Sequence, residues 1–244
     1  MSIRKTTILE DQITKKISIR LPGGNKQLEH LLEQNIPQGT HALIIGPGCE
    51  SVSANLLKYF ADINIIANDY NSVLLIRMNL KDEDRIKVKM MDYANTDFED
   101  GFFDLIYAQS SISVHDKKEI AKELKRILSA QGILCAGEIV SLKKPVPEFV
   151  KDIWERNGLD PIDSSEIKNF YESKGFKCLS EKDFSATLED FYEKIGYEIS
   201  KATKSEKEAD KKYYLRIKHE SHAYLKLGGD KYIGFNSLIM RKSN

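Results

Sequence analysis

What this chain lacks narrows the field before any motif is read. Lys+Arg and Asp+Glu stand at 37 each, so there is no excess charge of either sign. Without a positive field to collect a polyanion, nucleic acid and anionic membrane surfaces are disfavoured as partners, and a small or neutral substrate is expected. No apolar run approaches the ~20 residues of a membrane-spanning helix. The start Met1-Ser2-Ile3-Arg4-Lys5 has no apolar signal core, so the expectation is a cytoplasmic protein. Cysteine is scarce: Cys49, Cys135 and Cys178 are far apart and form no C-x-x-C pair, which argues against a disulfide framework or a structural zinc. Cys49 and Cys135 would suit a thiol-chelated metalloid substrate, but a free Cys in or beside a strand is commonly core. His219 and His222 sit three apart without an evident third ligand, so no metal is expected.

What is present is a sequence of α/β steps. At 244 residues the chain suits one domain with an elaboration. The apolar run Ala42-Leu43-Ile44-Ile45 reads as a strand covered on both faces. It leads into Gly46-Pro47-Gly48-Cys49-Glu50-Ser51, where glycines at alternate positions let backbone approach a ligand. A helix expected over Glu50 to Ala61 aims its free amides at the same spot. Further strands are expected at 63–67, 86–91, 102–108, 133–140, 176–184 and 232–241. The helices between them fall at 26–34, 72–80, 116–128, 148–157 and 164–174. The reading is a doubly wound, mostly parallel, seven-stranded Rossmann-like sheet with an antiparallel last strand. An arm (1–24) precedes a core of 25–185 and 232–244, and residues 186–231 form a Lys/Glu-rich helical insertion.

Polar side chains gather where strands end, the edge at which open α/β sheets bind ligands. Asp69 lies roughly twenty residues past Gly48, where such folds place a carboxylate against a ribose diol, although an Asp there also caps a helix. The fourth strand runs out into Gln109, Ser110, Ser111 and His115. His115 has the chemistry to take a proton from an attacking nucleophile, against the alternative of a capping or surface histidine.

Residues 40 to 140 resemble the class I S-adenosylmethionine-dependent methyltransferases, particularly the soluble small-molecule type. The resemblance implies that Gly46, Pro47, Gly48, Cys49 and Glu50 hold the methionine end of S-adenosylmethionine and that Asp69 takes the ribose hydroxyls. It gives the adenine amine to Asp92, with Tyr93 beside the ring, and Phe103-Asp104-Leu105-Ile106 matches the family's fourth strand. Tyr70 and Gln109 complete the expected cofactor set. Two positions depart from the pattern: Ile44 stands where the family usually has an acid, and Glu50 where it has a third glycine. Glu50 either supplies the missing carboxylate to the cofactor's ammonium or serves the helix dipole. Asp104-Leu105-Ile106-Tyr107 lacks the Pro-Pro-aromatic pattern of enzymes that methylate planar amides and exocyclic amines.

The expected function is methyl transfer to a small-molecule O, N or S nucleophile, with Ser110, Ser111, Tyr213 and Tyr214 toward the acceptor. Residues 186–231 are expected to cap that side, and a homodimer is allowed. The alternatives are a non-catalytic module that binds the cofactor and a nicotinamide enzyme. A carboxylate at Glu50 beside a pyrophosphate, and Ser51 in place of the packing glycine, weigh against the last.

Overall fold

A computed structural model describes residues 21–34, 36, 38–80, 83–201 and 211–243, the side chains of 211–213 excepted. Most of the expected arm, and the side chain of Tyr213, therefore lie outside the described residues. The chain runs α1 (Gly24–Leu32), β1 (Gly39–Ile45), α2 (Ser53–Leu56), β2 (Phe60–Ala67), α3 (Tyr70–Asn79), β3 (Ile86–Met90) and β4 (Phe103–Gln109). It continues through α4 (Lys117–Ile127), β5 (Leu128–Ser141), α5 (Glu148–Arg156), β6 (Ile162–Asp163), α6 (Ile167–Ser173) and β7 (Phe176–Asp183). The insertion is α7 (Thr187–Lys201) and α8 (Lys211–Lys226), and β8 (Ile233–Lys242) closes the fold.

One sheet holds all the strands in the order β3-β2-β1-β4-β5-β8-β7, with two-residue β6 beside β5. β1 to β5 are parallel, and β8 runs antiparallel between β5 and β7. The seven expected strands are present and β6 makes an eighth. The order reverses between β1 and β4, and the carboxyl ends of those strands, just beyond Ile45 and Gln109, are the edge at which open α/β sheets bind ligands.

β1 explains why the sheet is covered on both faces. Leu43 and Ile45 pack with Ile120, Leu124 and Ile127 of α4, whereas Ala42 and Ile44 pack with Leu28 and Leu31 of α1 and Val73 and Ile76 of α3. Leu43, Ile44 and Ile45 are fully buried, each worth roughly 1.5–3 kcal/mol relative to exposure. Asp104 of the F-D-L-I strand has a structural job at the opposite end. Its carboxylate accepts from Thr40 N at 2.7 Å and Ser129 Oγ at 3.3 Å, tying β4 to its two neighbours.

The main departure from expectation is the helix after the glycine turn. Instead of reaching Ala61 it is a 3-10 turn over Cys49–Val52 followed by the four residues of α2. Phe60, expected on that helix, already opens β2: it pairs with Gly39 and its ring lies where a side chain on Gly39 would be. Sheet pairing and burial of Phe60 thus override helical spacing. β5 begins at Leu128 rather than 133, directly from the end of α4.

α7 and α8 lie against each other and stand on a third apolar cluster. Leu188, Tyr192, Ala223 and Tyr224 pack on Val150 and Ile153 of α5, Ile139 of β5, and Ile233 and Phe235 of β8. Because Ile139 and Phe235 are cross-strand partners near the carboxyl end of β5, the insertion is rooted at the same sheet edge as the glycine turn.

Candidate functional site

The site begins where β1 runs out. Gly46 and Gly48 have φ of 96° and 83°, a region that favours glycine. A Cβ on Gly46 would sit 2.4 Å from Ser111 Cβ, and one on Gly48 would sit 3.0 Å from the Leu21 side chain. The turn is therefore closed in by the loop after β4 on one side and by the chain entering α1 on the other. Ser111 Oγ donates to Ile45 O at 2.7 Å, which fixes that loop to the end of β1.

Cys49 is fully buried, its thiol donating to Gln109 O at 3.7 Å, and burial pushes its pKa up to about 12. Cys135 is likewise buried and pushed up to about 12. Both stay neutral thiols packed in the core, which removes the basis for a metalloid chelate. Glu50 is buried; its Oε1 accepts from Asn79 Nδ2 at 2.9 Å, while Oε2 is buried without a hydrogen-bond partner among the described residues.

The next two strand ends carry the acidic residues. Asp69 is exposed and caps α3, its carboxylate accepting from the amide and hydroxyl of Ser72, which hold its pKa below the ordinary value. Asp92 is also exposed, with Oδ1 accepting from Ala94 N at 2.8 Å. Tyr93 is buried between them and hydrogen-bonds the Asn68 backbone; burial raises its pKa, so the phenol stays neutral. Tyr70 is 63% exposed at the start of α3, beside Asp69.

The end of β4 departs more from expectation. Gln109 is buried and its amide is committed to protein: Oε1 accepts from Tyr107 OH at 2.6 Å, while Nε2 donates to Pro22 O at 2.8 Å and Gly24 O at 3.0 Å. It holds the turn before α1 in place rather than offering its amide to a ligand. Ser110 has φ of 55° and donates its hydroxyl to Gln109 O. The residues just past β4 are thus Ser110, Ser111 and Ile112, while Asp104-Leu105-Ile106-Tyr107 lies inside the strand. His115 is 73% exposed with Nδ1 3.9 Å from the Asp160 carboxylate, which also pairs with Lys117. Tyr214 is half-buried on α8. His219 and His222 line a surface groove with Arg156, Leu215, Arg216 and Lys218. Among the described residues no group of three or more His, Cys, Asp or Glu is arranged to hold a metal, and no helix is long and apolar enough to cross a membrane.

Two side chains of this edge were not anticipated. Leu21 forms a wall over Gly48. Glu138 is a fully enclosed carboxyl in β5, accepting from the hydroxyls of Ser113 and Tyr171. A lone acid in the otherwise apolar run from Ile133 to Val140 was the available signal.

Comparison with known proteins bears on this edge. The methyltransferase domain family model matches residues 43–136, the stretch from β1 into β5. No curated protein matches the chain. Among solved structures, phosphoethanolamine N-methyltransferase 2 from Haemonchus contortus, in complex with S-adenosyl-L-methionine, superposes with a TM-score of 0.74 at 16% identity over 92% of this chain and 54% of that one. Geranyl diphosphate C-methyltransferase from Streptomyces coelicolor A3(2), with S-adenosyl-L-homocysteine, gives 0.66 at 12% identity over 89% and 77%. The [4+2]-cyclase SpnF gives 0.75 at 17% identity over 90% and 80%. At these identities the likeness is one of fold. A parallel sheet with its glycine turn at the switch point, and a family match that covers that turn and both acidic strand ends, agree: residues 43–136 match a methyltransferase domain, and the chain shares the fold of the S-adenosylmethionine-dependent methyltransferases named above.

Proposed function

We propose that this chain is a cytoplasmic S-adenosylmethionine-dependent methyltransferase acting on a small-molecule acceptor. The observation that carries the reading is the glycine turn with positive φ at Gly46 and Gly48, followed by two exposed carboxylates, Asp69 and Asp92, on successive strand ends of the matched domain. The site fits the cofactor at three points. Glycine at 46 and 48 supplies the positive φ that bends the backbone at the end of β1. Asp69 is ionised, and each carboxylate oxygen has lone pairs beyond those Ser72 uses, so it can accept from a diol. The buried Oε2 of Glu50 next to the turn, without a hydrogen-bond partner among the described residues, is a ready acceptor for an ammonium, which favours the ligand role over the helix-dipole role for that residue.

When bound, S-adenosylmethionine supplies an electrophilic methyl. The residues of this chain bind, orient and exclude water: Asp69, Asp92 and Tyr93 hold the nucleoside side, and Glu50 and the turn hold the amino-acid side. The Ser110–Ser111 loop borders the methyl. α7 and α8, rooted beside that loop, are assigned as the cap on the acceptor side, a reading supported by the Gly23 N to Thr187 Oγ1 bond (3.1 Å) that joins the start of the insertion to the turn before α1. Small-molecule acceptors are in keeping with the phosphoethanolamine and geranyl diphosphate enzymes of the same fold. Calorimetry with S-adenosylmethionine, S-adenosylhomocysteine and NAD tests the binding site. Release of S-adenosylhomocysteine across a panel of small nucleophiles tests the chemistry. Binding without turnover across the panel would favour a non-transferring protein; binding of NAD alone would overturn the reading.

A further inference from the structure

The buried carboxyl of Glu138 is unused by the site as described, and its contacts lead straight to the glycine turn. Glu138 lies in β5 opposite Asn236 of β8, on the sheet face that carries α4 and α6. Its Oε1 accepts from Tyr171 OH of α6 and its Oε2 from Ser113 Oγ of the loop after β4. Ser113 Oγ in turn accepts from Ile139 N at 2.9 Å, so its hydrogen is directed at Glu138. At the other end of the same loop, Ser110 N donates to Gly137 O at 2.8 Å and Ser111 is bonded to Ile45 O and packed on Gly46. The loop is thus a short strap between β5 and the glycine turn, and Ser110 within it is held at a positive φ that costs about 1–3 kcal/mol for a residue other than glycine.

We infer that Glu138 is a positioning residue: by holding Ser113 it fixes the 110–113 strap against the glycine turn in the geometry that the cofactor requires. This rests on the function proposed above. The carboxyl is a costly anchor. Burial raises its pKa above the ordinary 4.5, against the downward pull of Ser113, Tyr171 and Lys117, whose ammonium is itself paired with Asp160. A carboxyl raised in the folded state binds more protons than in the unfolded chain, so its contribution to stability falls as pH rises from 4.5 through the folded value. A group that lowers stability toward neutral pH, placed at the ligand edge, is explained by what it positions rather than by what it stabilises.

The two hydroxyls on Glu138 separate positioning from mere packing. Ser113→Ala cuts the link to the strap, whereas Tyr171→Phe removes a bond to the same carboxyl from the opposite side. Both variants, Glu138→Ala and Ser113→Thr are compared in the full chain by amide hydrogen exchange, Tm and S-adenosylhomocysteine calorimetry. Ser113→Ala and Glu138→Ala are expected to speed exchange at residues 110–113 and to weaken S-adenosylhomocysteine by about tenfold, the loss of one hydrogen bond to a charged group. Tyr171→Phe is expected to lower Tm and leave both other readouts near wild type, and Ser113→Thr to restore them. Unchanged exchange in Ser113→Ala, or equal losses of affinity in Ser113→Ala and Tyr171→Phe, overturns the inference. A wild-type chain that binds no S-adenosylhomocysteine, yet shows the expected exchange pattern, would overturn the proposed cofactor and leave the strap standing.

Discussion

The glycine-turn half of the molecule and the insertion are built on different principles. From β1 to β3 each candidate site position is set by its own strand end: Gly46 follows β1, Asp69 follows β2 and Asp92 follows β3, while Gln109 at the end of β4 braces the turn before α1. The parallel register aligns those ends at one edge whatever lies between them. The insertion has no sheet to place it. α7 and α8 hold position mainly through side-chain packing, with Tyr192 stacked on Tyr224 at 4.5 Å and both set on residues from α5, β5 and β8, helped by the bonds Gly23 N to Thr187 Oγ1 and Asn157 Nδ2 to Glu220 Oε1. Ligand chemistry placed on strand ends tolerates change in the connections, whereas a helical pair held by one apolar cluster depends on every member of it.

The sharpest way to break that comparison is Tyr192→Ala. Removing a buried ring from a cluster that holds two helices should cost about 3–5 kcal/mol. The loss is expected to be local, with amide exchange accelerating over α7 and α8 while S-adenosylhomocysteine still binds. Loss of cofactor binding in parallel with the insertion would show that the two regions are one cooperative unit. Deleting the insertion is the poorer experiment, because it would bare Ile139, Ile153 and Phe235.

Gly46→Ala tests the other region. Strain at φ 96° and the overlap with Ser111 together should cost roughly 3 kcal/mol. Here binding and stability are expected to fall together in urea titration and calorimetry, since the clash is with the strap itself. Full binding by this variant would remove the turn from the site.

Asp69→Ser is smaller and more selective. Serine caps a helix as Asp does, so α3 should keep its stability. The carboxylate is gone, and affinity for S-adenosylmethionine should drop by about 1.5–3 kcal/mol, the range for hydrogen bonds to a charged group. A fall in Tm with unchanged affinity would reduce Asp69 to the cap that its bonds to Ser72 already make it.

Legibility followed the same division. The strands from β1 to β4, the glycine turn and the acidic ends were readable because each is a local signal: an apolar run, a turn residue, a carboxylate. What escaped was long-range. Nothing near Phe60 announces that Gly39 will pair with it and end the helix early. Gln109 looks like a ligand residue at a strand end until the turn at residues 22–24, far away in sequence, takes up its amide. Glu138 is a lone acid in an apolar strand, a signal that went unread, and its meaning needs Ser113 and Tyr171, which come from two other elements.

His115→Ala should have the smallest effect. The residue follows β4 closely enough in sequence to suggest a base at the methyl, and its spacing favours that role as much as any in the chain. In the fold, however, Ser113 turns inward to Glu138, Val114 bridges to Leu159, and His115 emerges on the surface beside Asp160. A side chain that is 73% exposed is not desolvated, and its ion pair with Asp160 at 3.9 Å is of the kind that contributes little. Lys117, which also pairs with Asp160, keeps that junction closed when the imidazole is removed. Stability and S-adenosylhomocysteine affinity should therefore each change by less than about 0.5 kcal/mol. Turnover of any acceptor found in the nucleophile panel should follow the wild-type pH profile. A loss of the rising limb of that profile in His115→Ala, with affinity unchanged, would instead place the imidazole at the reacting proton and require the loop to move inward when the acceptor binds.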